Sequence, residues 1–188
     1  MIMPDTNCAL CPRLAAFRAQ NREKFPDKFN APVPSFGPKS AEMLIVGLAP
    51  GLKGANFSGR PFTGDYAGDL LYQALIKFGF ANGEYKGHPN DGLTLSKCRI
   101  VNSVKCVPPE NKPTTDEIKT CAKFFVAEIE EMTSLKIILA LGKIAHDSVL
   151  RAYGLKLSSA KFGHAARHEL PDGVVLIDSY HCSRYNTQ

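Results

Sequence analysis

Four apolar runs stand out along the chain: "MLIVGLA" (43–49), "CRIVNSVK" (98–105), "LKIILALG" (135–142) and "GVVLIDSY" (173–180). Each is short, nearly continuous and rich in branched residues, which predicts strands buried on both faces. Between them lie "YAGDLLYQALIKFGF" (66–80), "TTDEIKTCAKFFVAEIEEM" (114–132) and "KIAHDSVLRAYG" (143–154), whose apolar residues recur at helical spacing. Thr and Asp open the second of these and glycine closes the first, as helix ends favour. A further helix is predicted from about Cys8 to Phe25, and "NAPVPSFGPK", with three prolines and a glycine, reads as an irregular arm. Strand alternating with helix predicts a mostly parallel sheet with helices on both faces.

Such sheets bind ligands outside the carboxyl ends of their strands. The segments that follow the strands should therefore converge on one cleft: the glycine-rich stretch after Ala49, "CVPPENKPT" after Lys105, "GKIAH" after Leu141 and "HCSRYNTQ" after Tyr180. The range Ile45 to Asp65 holds five glycines and two prolines; it starts as a buried strand, and the stretch after it is expected to settle into neither helix nor strand. Glycine allows backbone to bend sharply or approach a ligand closely. The cleft would gather an acid (Asp65), an amide (Asn102), a histidine (His181), two aromatics (Phe62, Tyr180) and cations (Lys105, Arg184). Asp65 has a second reading as the cap of the helix after it. Asn102 within an apolar strand needs a partner, because a buried amide left unbonded is costly.

Composition sets limits on this picture. At 188 residues, 44% hydrophobic and 22% charged, the chain suits one globular domain spanning 1–188. It shows no signal peptide and no apolar run long enough to span a bilayer, so an intracellular, cytoplasmic location is expected. A formal net charge of +5 leans toward an anionic partner. Cys8 and Cys11 form C-x-x-C, and Cys106 and Cys121 a second pair separated by fourteen residues, a set that suits tetrahedral sulfur ligation of an iron–sulfur cluster or zinc. Cys98 reads as a core residue, and Cys182 has no assignment.

The motifs "GLAPG", "GANFSGRPFTGD", "VKCVPPENKPT" and "SYHCSRYNT", in that order and with the four cysteines around them, resemble the type B (family 5) uracil-DNA glycosylases, relatives of the type A (family 4) enzymes. The resemblance runs from Cys8 to Thr187. It implies a three-layer α/β/α sandwich around a four-stranded mostly parallel sheet, a [4Fe–4S] cluster on Cys8, Cys11, Cys106 and Cys121, with zinc the lesser alternative, and hydrolytic removal of uracil from DNA by a monomer. Asp65 then matches the acid that positions water and offsets charge on the sugar. His181 matches the histidine that bonds uracil O2, Phe62 the ring that stacks on the flipped base, and Asn111 a further polar group aiding catalysis. Gly47, Ala49 and Gly51 would supply backbone to the pocket wall, and Arg184 or Tyr185 would fill the space the base vacates. Lys53, Lys105 and Arg184 are the expected phosphate contacts.

Two departures from the type B pattern are visible. Asn102 stands where type B enzymes often carry a small residue, and "VNSVKC" is similar to the type A motif whose asparagine reads the uracil edge. Relatives also continue past "NTQ" into another helix, so a naturally short or a truncated chain is expected. Two other classes compete with a glycosylase: a nucleotide-binding module, which "GLAPG" does not suit because it is neither G-x-G-x-x-G nor a P-loop, and a noncatalytic, metal-stabilised DNA-binding protein.

Overall fold

The computed structural model describes residues 3–183. Helix α1 (Pro12–Lys24) begins later than the sequence pattern predicts, leaving Cys8 outside it and Cys11 as its cap. Pro12 fixes that start, since proline at the first helical position forfeits only an N–H that had no partner. Strand β1 (Met43–Gly47) leads into the glycine-rich stretch. That stretch is not wholly irregular, for it winds one turn of helix, α2 (Ala55–Ser58). Helix α3 (Tyr66–Lys77) follows and is stopped by Gly79 at φ +74°.

A small antiparallel ribbon, β2 (Ala81–Asn82) with β3 (Thr94–Leu95), precedes β4 (Cys98–Asn102). Helix α4 (Thr115–Glu131) opens on a capping box, in which the Thr114 hydroxyl accepts from the Glu117 amide and the Glu117 carboxylate accepts from the Thr114 amide. Strand β5 (Ile137–Leu141), helix α5 (Lys143–Ala152), β6 (Arg167–Glu169) and β7 (Val175–Ser179) complete the described elements.

The main sheet has the order β4-β1-β5-β7-β6. Its first four strands are the expected parallel ones, and β6 adds a fifth, antiparallel to β7, at the edge. The "RHE" of β6 carries no apolar signal by which a strand would be read. Side chains alternate along β1: Leu44 and Val46 pack with Phe125, Val149 and Leu150 of α4 and α5. Ile45 faces the other way, toward Leu71, Tyr72 and Leu75 of α3. Two apolar faces of one sheet, each covered by helix, make the three layers. Because β1 lies between β4 and β5, the connections diverge there and a crevice opens at its carboxyl end.

Lys105 does not face that crevice. It is fully buried, and its ammonium donates to Glu128 Oε2 at 2.9 Å and Ser35 Oγ at 3.1 Å. Arg99 Nε donates to the other Glu128 oxygen at 2.7 Å and a guanidinium N–H reaches the Gly37 carbonyl. Burial alone would raise the Glu128 carboxyl, but Lys105, Ser35 and Arg99 outweigh it and hold it below the usual carboxylate range. The expected phosphate contact is thus a core ion pair, bound to α4 by the cost of burying either charge alone. Lys105→Ala should lower unfolding stability in denaturant titrations by about 3–5 kcal/mol, the typical cost of breaking a buried pair. The salt dependence of DNA affinity should stay unchanged, whereas loss of a phosphate contact lowers its slope by about one.

Candidate active site

At the carboxyl ends of β1, β4 and β7 lies a cleft of about 330 Å³, lined by Ala49, Gly51, Phe62, Asp65, Asn102, Asn111 and His181 among others. The sheet thus brings together residues drawn from four separate segments. Gly47, expected in the pocket wall, is not among the lining residues but lies behind two of them: a methyl group there would overlap Asn102 Oδ1 and the Phe62 ring. Phe62 holds φ +51°, unfavourable for a side chain with a Cβ. Asn111 reaches the rim from a single 3-10 turn, Pro109–Asn111, and also adopts positive φ.

Asp65 fulfils both of its readings. Its Oδ1 accepts from the Gly68 amide at 3.1 Å and caps α3, while the carboxylate borders the cleft. A methyl on Gly54 would overlap Oδ2, so the loop's missing side chain is what lets the carboxylate lie there. His181 stacks on Phe62, with centroids 5.8 Å apart and planes at 29°. Burial lowers its pKa from the ordinary 6.5, with Asp65 opposing, so the imidazole is neutral at pH 7. Asn102 ends β4 almost fully buried. Its side-chain amide has no hydrogen-bond partner among the described residues and opens on the cleft. An acid, a neutral imidazole, a stacking ring and an unpaired amide around one cavity suit recognition of a planar polar base.

Comparison with known proteins agrees with this geometry. Residues 34–188 match the sequence family described as the Uracil DNA glycosylase superfamily. The chain belongs to that family. It is 40% identical over 188 residues to the Type-5 uracil-DNA glycosylase of Thermus thermophilus, covering 97% of this chain and 85% of that protein. To the Type-5 uracil-DNA glycosylase of Mycobacterium tuberculosis it is 40% identical over 187 residues, covering 95% and 70%. The Type-4 uracil-DNA glycosylase of Archaeoglobus fulgidus is 30% identical over 128 residues, covering 68% and 56%.

In this member of the family the cleft loop is stapled by residues that the sequence pattern did not reveal. Arg60 forms a two-pronged pair with Asp91, both contacts at 2.8 Å, and donates to Thr63 Oγ1 at 2.7 Å. Its guanidinium also lies 5.2–5.7 Å from the rings of Phe36, Tyr72 and Tyr85. Tyr85 stacks on Tyr72, and its hydroxyl accepts from the Gly64 amide at 3.2 Å and donates to the Phe62 carbonyl at 3.3 Å. Both residues flanking Thr63 are thereby held by a segment more than twenty positions later. The only sequence signal was the aromatic and acid within an otherwise glycine-rich, polar loop.

The four cysteines also converge. Cys8, Cys11, Cys106 and Cys121 line one pocket with apolar neighbours that include Leu14, Val104 and Phe124. Arg18, itself buried, donates to Cys106 Sγ at 3.4 Å, and the Lys105 amide donates to Cys121 Sγ at 3.4 Å. Burial pushes the Cys106 thiol up to about 12 and Cys11 to about 11. Among the described residues, the one trio of His, Cys or carboxylate groups with all ligand atoms within 4.8 Å of one another is His146, His168 and Asp178.

Other assignments divide. Cys98 is a core residue, and the Cys182 thiol donates to the Ala67 carbonyl at 3.3 Å. Lys53 is exposed in the glycine-rich loop. Arg184 and Tyr185 lie outside the described residues. No described helix is long and apolar enough to cross a membrane. Removing the Tyr85 hydroxyl should free the cleft loop locally: Tyr85→Phe is expected to cost about 1 kcal/mol of stability and to speed amide hydrogen exchange at Gly64 more than in the sheet.

Proposed function

We propose that this chain excises uracil from DNA, hydrolysing the N-glycosidic bond and leaving an abasic site. The unpaired Asn102 amide, nine-tenths buried in a cleft shared with Asp65 and His181, is the observation that carries the reading. A noncatalytic DNA-binding protein would have no use for it.

The target base must leave the duplex to reach such a cavity, at a cost of a few kcal/mol in unstacking. Inside, Phe62 offers its face to the base. The Asn102 amide presents a donor to uracil O4 and an acceptor to N3–H, a pattern that cytosine opposes. As the glycosidic bond breaks, electrons move onto the base and charge builds on O2. Neutral His181 donates its N–H there, stabilising the departing anion. Asp65 faces the sugar, where its negative charge offsets the oxocarbenium-like carbon and its free oxygen orients the attacking water. Asn111 at the rim provides a second polar group for that water. Lys53 is the phosphate contact this reading retains, together with Arg184.

The cysteine pocket fits a [4Fe–4S] cluster held by Cys8, Cys11, Cys106 and Cys121. Its four-sulfur donor set, the apolar neighbours and the N–H groups aimed at two sulfurs support this reading. Bound there, the cluster would tie the start of α1 to α4, a structural role, since hydrolysis needs no redox step.

Single-turnover rates on matched oligonucleotides carrying uracil, hypoxanthine or xanthine test the assignment. Asp65→Ala should slow excision of every base by about a hundredfold or more, because sugar and water are common to all. Asn102→Ala should instead cost uracil about tenfold or more and erase the preference for it, since a buried polar group discriminates by what it leaves unpaired. An unchanged uracil rate and preference would reduce Asn102 to a core amide. Protein purified without oxygen should be brown, with about four irons per chain; a colourless preparation holding one zinc overturns the cluster.

A further inference from the structure

Outside the cleft, one residue before His181, Tyr180 is 56% exposed, unusual for so large a ring. It is nevertheless held in one orientation. Its ring stacks on His164, with centroids 4.9 Å apart and planes at 13°, and its amide donates to His164 Nδ1 at 3.2 Å. Phe162 braces the ring from the side at 6.3 Å.

The segment that carries His164 and Phe162 is itself fixed to β7. The Ala165 amide donates to the Asp178 carbonyl, the Asp178 amide to the Ala166 carbonyl, and the Gly163 amide to Asp178 Oδ2. The other Asp178 oxygen meets His146 Nδ1 at 2.7 Å, and His146 Nε2 reaches the Ala160 carbonyl at 3.1 Å. Both ring nitrogens of His146 therefore have partners. This polar network takes no part in the cleft. It mounts an aromatic surface beside the cleft on a rigid support.

We propose that the Tyr180–His164 pair is a stacking ledge for an unpaired nucleobase next to the flipped nucleotide, on the same DNA strand. The proposal rests on the uracil-excision reading for its ligand. Three observations favour a base over other occupants. The exposed ring is continuous, through one peptide unit, with a histidine that lines the base pocket. It is already backed by a parallel aromatic ring, so a base can complete a stack on its outer face. Lys161 and Arg167, at either end of the mounting segment, are both exposed and place positive charge near a strand that lies there. Base–aromatic stacking is indifferent to base identity, so the ledge would grip single-stranded or locally opened DNA whatever the neighbouring sequence.

The test uses an oligonucleotide in which a non-cleavable abasic analogue stands for the excised nucleotide and the fluorescent base 2-aminopurine lies immediately 5′ or 3′ to it. Beside an abasic gap the free probe is bright, and stacking on a ring quenches it. Binding of the iron-loaded protein should quench the probe at one of the two positions. Tyr180→Phe should retain the quenching, while Tyr180→Leu, which keeps apolar bulk without a ring, should lose it and weaken the dissociation constant by about five- to thirtyfold. His164→Ala should reduce both effects in part. Absence of quenching at both positions in the parent protein, or quenching by Tyr180→Leu equal to the parent, overturns the ledge. Failure to release uracil from an ordinary substrate would overturn the excision reading instead, and the abasic probe reads the ledge independently of that reaction.

Discussion

The buried ion pair between Lys105 and Glu128 fixes the segment on which both special sites depend. Leaving β4, the chain places Asn102 at the cleft, donates from Ser103 and Val104 to the carbonyls of Gly47 and Leu48, buries Lys105 and delivers Cys106 to the cysteine pocket. Five consecutive residues therefore serve the sheet, the base pocket and the cysteine set with no slack between them. Lys105 is the anchor because its side chain binds α4 through Glu128 while its own amide meets Cys121 on the same helix. Glu128 and Cys121 are two helical turns apart and so share a face. A strand end with no such tie would be free to fray. Here, opening it exposes an unpaired charge in an apolar core, which makes the open state expensive.

The cleft loop is held by a different means. Its glycines permit close approach but add backbone freedom that has to be removed. Arg60 removes it from one side by filling its donor fork with Asp91 and Thr63, and Tyr85 from the other by bridging Phe62 and Gly64. Phe62 can then keep a positive φ, a local strain of the kind that persists only when surroundings over-determine it. Asp65 gains its position from the helix it caps. One oxygen is committed to Gly68, so the carboxylate has little freedom to turn, and the orientation that stabilises α3 is the one presented to the cavity.

How much of this was legible in the sequence follows from where its information is local. Parallel strands buried on both faces betray themselves as apolar runs, so β1, β4, β5 and β7 were readable, as was the meeting of the segments after β1, β4 and β7 that places Asp65, Asn102 and His181 on one cleft; the segment after β5, expected there too, instead enters α5 at once and does not line it. Lys105 was misread because a lysine at the end of a strand resembles one at a cleft. The difference lies in Glu128, twenty-three residues away, whose charge gives no sign in sequence that it turns inward. Strand β6 escaped notice because an edge strand of Arg, His and Glu needs no apolar side chain, only a free edge on β7. The one-turn helix α2 is likewise made by packing of a short segment against its surroundings, not by any helical run of residues.

The electrostatics of the cleft explain why His181 should be neutral. Cleavage of a glycosidic bond separates charge, with the base becoming negative and the sugar positive. A protonated His181 would bind the leaving base more strongly, but it would also sit near Asp65 and cancel the field that the carboxylate directs at the sugar. Desolvation beside Phe62 keeps the proton off the ring even though Asp65 favours it. In the proposed reaction the single N–H of a neutral imidazole would still donate to the oxygen where charge collects. No neighbouring imidazolium would offset the Asp65 carboxylate in that reaction, so its effect would fall on the carbon that water attacks. Burial of the imidazole against the stacked Phe62 ring would thus separate the two electrostatic tasks that the proposed bond cleavage requires.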